Sequence, residues 1–166
     1  MIDAPSPESI TTRSTKPEDQ SFLVELYKSS RGDDLRGLGW DEPRISEFLD
    51  MQYQAQQNFY NSDYPEATDE LILLENKPIG HLMVESRPHE IRCIDLSLLP
   101  EYRERGLGTG IIQQLQERAR REQKPLRLQV IRYSRAVNLF DRLGFVRTSE
   151  TGTHFQMEWR PFEAQR

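Results

Sequence analysis

The residues best suited to chemistry stand together in IDLSLLPEYRERGLGTGIIQQLQERAR, residues 94–120. Gly106, Gly108 and Gly110 keep side chains away from the backbone there, so successive amides from Arg105 through Leu107 and Thr109 can face one concavity. An amphipathic helix begins at the same place, and the partial positive charge of its N-terminus suits a pyrophosphate. Arg103 and Arg105 add two guanidinium groups for charge-assisted hydrogen bonds to phosphate. A P-loop would end in Gly-Lys-Ser/Thr, which Gly108-Thr109-Gly110 does not supply. A dinucleotide fingerprint needs G-x-G-x-x-G at the start of a βαβ unit. The glycines here fall as G-x-G-x-G after a hairpin-rich run.

Asp95 is the second chemical group. In the strand-like run Ile91–Leu98, simple alternation puts Asp95 on one face with Ile91, Cys93 and Ser97, and Leu96 and Leu98 on the other. A carboxylate on an inner strand is costly unless it is paired, which makes Asp95 a candidate proton acceptor. Alternation also points Arg92 away from it. Glu85 and Glu90 are the alternative bases.

The remaining reactive side chains carry less. Cys93 is the only cysteine, so an intrachain disulfide and a cysteine-based metal site are both excluded. With no accompanying Cys/His constellation it reads as a small buried hydrophobe. His81, His89 and His154 lack metal-ligand spacing and read as surface or strand-packing residues; no metal is expected.

These residues must be positioned by a mixed set of elements. The pattern predicts a strand over 9–13, then a helix capped by Thr15 with Pro17 in its first turn. Residues 31–39, with three glycines, read as a loop. A second helix is expected from about residue 43 to 60, rich in Gln, Tyr and Asn and suited to covering a pocket. Strands follow over 70–74, 79–85 and 91–98, the first two joined at Asn76-Lys77 as a hairpin. After the glycine turn come a helix to about Glu122, a strand over 126–131, a helix over 134–143 and a final antiparallel pair. The expected fold class is α/β of the α+β kind, with a mostly antiparallel sheet of six to seven strands and about four helices. Residues 1–8 read as a loose tail and 9–166 as one domain.

Charge and composition narrow the partners. The net charge is −5, but residues 1–102 hold 9 basic and 20 acidic side chains, whereas residues 103–147 hold 11 basic and 4 acidic. The basic stretch opens at the phosphate-binding turn, and the acidic half suits a cationic partner. An acidic chain without a basic aromatic face argues against nucleic acid. No apolar run is long enough for a membrane span, and the N-terminus does not read as a signal peptide, so the expected location is cytoplasmic.

Two blocks resemble one family. Arg103-Glu104-Arg105-Gly106-Leu107-Gly108, after a strand and a proline, is similar to the R/Q-x-x-G-x-G/A acyl-CoA signature of the GNAT acyltransferases. SRAVNLFDRLGFVR, residues 134–147, resembles that superfamily's helix leading into an aromatic-ended strand. The resemblance spans roughly residues 9–159. It implies acetyl-CoA as cofactor, with the amides of Arg105, Gly106, Leu107, Gly108, Thr109 and Gly110 on its pyrophosphate. Leu96 and Leu98 would pair with the pantetheine arm, and Ser134 and Phe140 would contact the cofactor from the second block. It also implies transfer of the acetyl group to a primary amine by direct attack in a ternary complex, with Asp95 near the thioester.

One departure from the family matters. The tyrosine that often serves as proton donor is replaced by Phe140, which has no proton to give. Tyr133 is the substitute side chain expected here, with water as the alternative proton donor to the thiolate. Trp40, Tyr53, Gln56 and Tyr60, in the pocket-covering segment, are the expected acceptor contacts. A small-molecule amine is the leading acceptor. The alternatives are a protein lysine or N-terminus, or an acyl-CoA sensor that has lost catalysis. Exposed edge strands leave a homodimer open.

Overall fold

The β-branched residues after Ser9 favour extended backbone, and they form strand β1 (Ile10–Ser14). The computed structural model describes residues 9–161, so the expected tail over 1–8 lies outside the described residues. A 3₁₀ turn, Pro17–Asp19, leads into helix α1 (Gln20–Ser29). The N-cap position falls to Lys16 and not Thr15, whose N–H still extends the sheet by donating to the Asp69 carbonyl at 3.0 Å. The Asp19 carboxylate takes over, accepting the Lys16 amide at 2.8 Å and both terminal nitrogens of Arg13 at 2.8 and 2.9 Å. A charged acceptor makes the stronger cap.

The stretch expected as a loop over 31–39 contains a short helix, α2 (Gly32–Gly37). Asp33 and Asp34 favour its N-terminal turn, and Arg36 bonds to Asp33 and to Glu42 beyond it. These charges outweigh the poor helix propensity of glycines that stand only at its two ends. Asp41 then caps α3 (Glu42–Asp63) by accepting the Arg44 amide at 2.9 Å. Its buried residues Ile45, Leu49 and Tyr53 lie four apart, one stripe of the helix.

Strands β2 (Thr68–Leu74), β3 (Lys77–Arg87) and β4 (Glu90–Leu98) form an antiparallel meander. Helix α4 (Leu107–Glu122) crosses over to β5 (Leu126–Ile131), which lies parallel to β4. Helix α5 (Ala136–Arg142) and the hairpin of β6 (Val146–Glu150) and β7 (His154–Trp159) complete the chain. The sheet has seven strands in the order β1-β2-β3-β4-β5-β7-β6, with β4–β5 its only parallel pair. The fold is therefore mixed α/β with a mostly antiparallel sheet and five helices, α2 being the addition.

Each face of the sheet has its own apolar layer. Leu107, Ile111, Ile112, Leu115 and Ala119 of α4, with Val137 and Phe140 of α5, pack on Val84, Cys93, Leu126 and Leu128. On the other side α1 packs against β3 and α3, with Leu26, Ile45, Leu49 and Leu71 buried. Two irregularities shape the central strands. Gly80 approaches β4 so closely that a Cβ would stand 2.3 Å from the Ser97 carbonyl oxygen, which only glycine permits. Between β3 and β4 the register slips, so that Met83 faces Asp95 and Val84 faces Cys93, leaving Ile94 as an extra residue.

That bulge corrects the alternation. Cys93 belongs to the core face together with Leu96 and Leu98, and Asp95 projects to the opposite face with Ser97. Bulges re-aim side chains in this way.

Candidate active site

Strand β5 stays with β7 along its whole length, from Leu126 opposite Trp159 to Ile131 opposite His154. Its pairing with β4 ends at Cys93 opposite Leu128. The two parallel strands therefore splay, and a cleft of about 400 Å³ opens between them. Its walls are Cys93–Leu96 of β4 and Leu128–Ile131 of β5. Phe59 and Tyr60 of α3 and Tyr64 just beyond it line another side, with Ser134, Ala136 and Phe140 on the α5 side. A smaller cavity of about 30 Å³ lies under α1 and α3, lined by Tyr27, Tyr53, Asp69, His81 and Ser97 among others. Arg31, Gln56 and Asp95 border both spaces. Asp95 thus stands where the two meet.

Asp95 is held by a charged network that the sequence reading missed. His81 Nδ1 is 2.6 Å from Asp95 Oδ2, and His81 Nε2 is 2.5 Å from Asp69 Oδ1. Ser97 donates its hydroxyl to Asp95 Oδ1 at 2.8 Å. Burial alone would lower the His81 pKa, but hydrogen bonds and charge from Asp69 and Asp95 outweigh it and lift the value to about 9. At neutral pH His81 is therefore an imidazolium donating to both carboxylates. The expectation that it is a surface or simple packing residue does not hold. A signal existed, since Ile79, Leu82, Met83 and Val84 put apolar side chains on both faces of β3. A strand covered on both faces buries whatever polar residue it carries.

The glycine turn is built as its composition demands. Gly106 has φ +80°, and a Cβ there would meet nothing within 4 Å. The first helical bond of α4 runs from the Gly110 N–H to the Gly106 carbonyl at 3.1 Å. The amides of Leu107, Gly108 and Thr109 precede it and have no backbone acceptor among the described residues. A Cβ on Gly108 would find only Leu139 Cδ2, at 3.8 Å. Arg103 donates Nε to the Leu98 carbonyl at 2.9 Å, and Arg105 lies beside the Tyr102 ring. Neither arginine meets a carboxylate among the described residues, so both charges suit phosphate. Beyond Cys93, the β5-facing edge of β4, which includes Leu96 and Leu98, has no strand partner. Free amides, a side-chain-free turn and an open strand edge together fit a CoA-like molecule.

The other expected residues are distributed as follows. Ser134 and Phe140 line the cleft; Phe140 is buried against Phe145 with ring centroids 5.4 Å apart. Tyr53 lines the small cavity, Tyr60 the cleft and Gln56 both. Trp40 borders neither, because its ring packs edge-on against Phe48 with Arg44 above it. Tyr133 is 87% exposed and also lies outside both linings. Burial pushes the Cys93 thiol up to about 12, so it is not a nucleophile near neutral pH. Glu85 is tied to Arg87, and Glu90 to Arg92 and Arg127. Among the described residues no cluster of His, Cys, Asp or Glu is arranged to hold a metal ion, and no helix is long and apolar enough to cross a membrane.

A sheet opened between two parallel strands beside a glycine-rich helix N-terminus is the architecture of acyl-CoA-dependent transferases. Residues 32–145 match the acetyltransferase (GNAT) family, and the chain belongs to it. No curated protein matches the chain by sequence. Solved structures match its fold. The PaiA N-acetyltransferase of Thermoplasma acidophilum, in complex with coenzyme A, is similar with a TM-score of 0.69 at 20% identity, over 92% of this chain and 99% of that one. The ribosomal-protein-S18-alanine N-acetyltransferase of Escherichia coli gives 0.62 at 14%, over 91% and 93%. A chimera of the Vibrio cholerae spermidine N-acetyltransferase gives 0.62 at 16%, over 95% and 99%.

Proposed function

We propose that this protein transfers the acetyl group of acetyl-CoA to the primary amine of a small molecule, and that Asp95 receives the amine. The observation that carries this reading is the position of Asp95 at the junction of the β4–β5 cleft and the cavity under α1 and α3. Acetyl-CoA supplies a thioester carbonyl open to attack by an amine. Leu107, Gly108 and Thr109 offer amides to its pyrophosphate, Arg103 and Arg105 offer charge, and β4 beyond Cys93 offers a strand edge. Ser134 and Phe140 bound the same space.

The acceptor must lose a proton as its nitrogen attacks. His81 already carries one at neutral pH and cannot take another. The Asp95 carboxylate keeps lone pairs beyond those used by His81 and Ser97, so it can accept a hydrogen bond from the ammonium and then its proton. The proton-donor role expected of Tyr133 passes in this reading to Tyr60. Burial, reinforced by the charge of Asp95, raises the Tyr60 pKa and keeps its hydroxyl protonated within the cleft. A small acceptor is favoured because Phe59 and Tyr60 of α3, and Tyr64 just after it, flank the cleft with bulky rings.

The test is release of free CoA thiol from acetyl-CoA over a panel of small amines and peptides, with mass spectrometry of the product. Acetylation of peptides alone would overturn the small-molecule acceptor, and no transfer to any amine would overturn the activity. The cofactor half has its own check. Gly108→Glu places a carboxylate in the first turn of α4, where its Cβ makes only an ordinary contact with Leu139. Acetyl-CoA affinity, read by calorimetry, is expected to fall more than tenfold with the melting temperature nearly unchanged, since like charge now faces the pyrophosphate. Unaltered affinity would place the cofactor elsewhere.

A further inference from the structure

The charges around Asp95 are not all negative, and this bears on which amine enters. Arg31 follows α1 and, like Asp95, borders both the cleft and the small cavity. Its guanidinium carbon lies 3.7 Å from the centroid of the Tyr27 ring, which sets the plane of the group. One terminal nitrogen donates to the Tyr27 carbonyl at 3.2 Å and to Ser30 Oγ at 3.3 Å. Among the described residues Arg31 has no carboxylate partner, although eighteen ion pairs occur elsewhere in the chain. Asp95 and Arg31 both act on the Tyr60 hydroxyl, the first raising its pKa and the second lowering it, so anion and cation face one small region.

Building on the acetyl-transfer reading, we infer that the acceptor is an amino acid, with Asp95 taking its ammonium group and Arg31 its carboxylate. A planar guanidinium stacked on an aromatic ring and lacking a protein carboxylate is matched to a carboxylate ligand. A diamine meets the opposite situation, because its second ammonium would approach Arg31 as a like charge. An internal lysine of a protein brings no carboxylate within a few bonds of its amine. The aromatic rings of Tyr27, Tyr53 and Tyr60 around this region offer apolar contact to the rest of the acceptor.

Equilibrium binding separates these acceptors without relying on turnover. The full chain, saturated with CoA, would be titrated calorimetrically with the common α-amino acids, β-alanine and γ-aminobutyrate. The matching amides, which lack the carboxylate, and putrescine as a diamine would follow. At least one amino acid is expected to bind tenfold or more tightly than its own amide. Arg31→Gln should erase that preference by weakening binding of the acid to the level of its amide, and Arg31→Lys should restore part of it. Circular dichroism and thermal melting confirm that each variant is folded. Equal binding of acid and amide, tighter binding of putrescine, a preference that survives Arg31→Gln, or no amino-acid binding would each overturn the inference. Thiol release measured alongside keeps the two readings apart. Turnover of putrescine or an amide without carboxylate preference sustains transfer and rejects the amino acid. Arg31-dependent amino-acid binding without turnover does the reverse.

Discussion

Asparagine in place of Asp95 is expected to leave the chain folded and to lower kcat/KM for the amine by about 10²- to 10⁴-fold, the usual range for loss of an acid–base group. The substitution keeps the shape and removes the charge. His81 retains Asp69 as a partner at 2.5 Å, and the Ser97 hydroxyl can turn to accept from the new amide. The side chain of Asp95 is about a quarter exposed, so no large cavity or unpaired buried charge results. The loss should fall on the amine side of the reaction, with the acetyl-CoA dissociation constant unchanged, because the glycine turn proposed to hold the pyrophosphate lies at the start of another element. Steady-state kinetics together with acetyl-CoA titration measure both. A variant that keeps more than a tenth of the wild-type kcat/KM would reduce Asp95 to a packing and pairing residue, and the proton would have to leave through water.

The sequence made some of this arrangement readable because the relevant rules act locally. Glycines at 106, 108 and 110 before an amphipathic run specify a side-chain-free turn at a helix start whatever surrounds them. Strand and helix order followed from alternation, turn residues and apolar stripes, which are also local. What escaped depends on partners far along the chain. The bulge at Ile94 arises from the pairing of β4 with β3 and carries Ile91 and Cys93 to the face of Leu96 and Leu98, away from Asp95 and Ser97. Asp95 stands out in the sequence because an inner-strand carboxylate needs a partner. The partner itself, His81, is legible only from the two-sided apolar character of β3, since metal spacing says nothing of a histidine paired with carboxylates on other strands. Trp40 shows the converse error. A large aromatic beside glycines looks unaccounted for until Phe48, eight residues on, is seen to pack against its edge.

His81 carries the second large expected effect, a loss of stability with rising pH. In the fold its pKa is raised from 6.5 to about 9, because the two carboxylates outweigh the cost of burial. The folded chain therefore binds more protons than the unfolded chain between those values. The stabilisation from His81 is complete below about pH 6.5 and is lost as pH rises through about 9. A shift of this size corresponds to a few kcal/mol, on the order of a quarter or more of a typical domain's stability. Urea midpoints at constant ionic strength should fall steadily over this window in the wild type and stay nearly flat in His81→Gln, which is also expected to be less stable at pH 6. Cys93, pushed from 9.0 up to about 12, and Tyr53 and Tyr60, raised above the usual phenol value, lower stability mainly as pH rises past about 9, so the His81 effect is read on the alkaline side of 6.5 and below about 9. The imidazole resonance of His81 gives a direct check, with a midpoint expected near 9. A midpoint at or below 6.5 would mean a neutral ring at pH 7, and the two carboxylates would then face each other without a cation. In that case His81, not Asp95, would be the group free to take the proton of the amine, and the pH dependence of kcat/KM would follow the midpoint of the histidine.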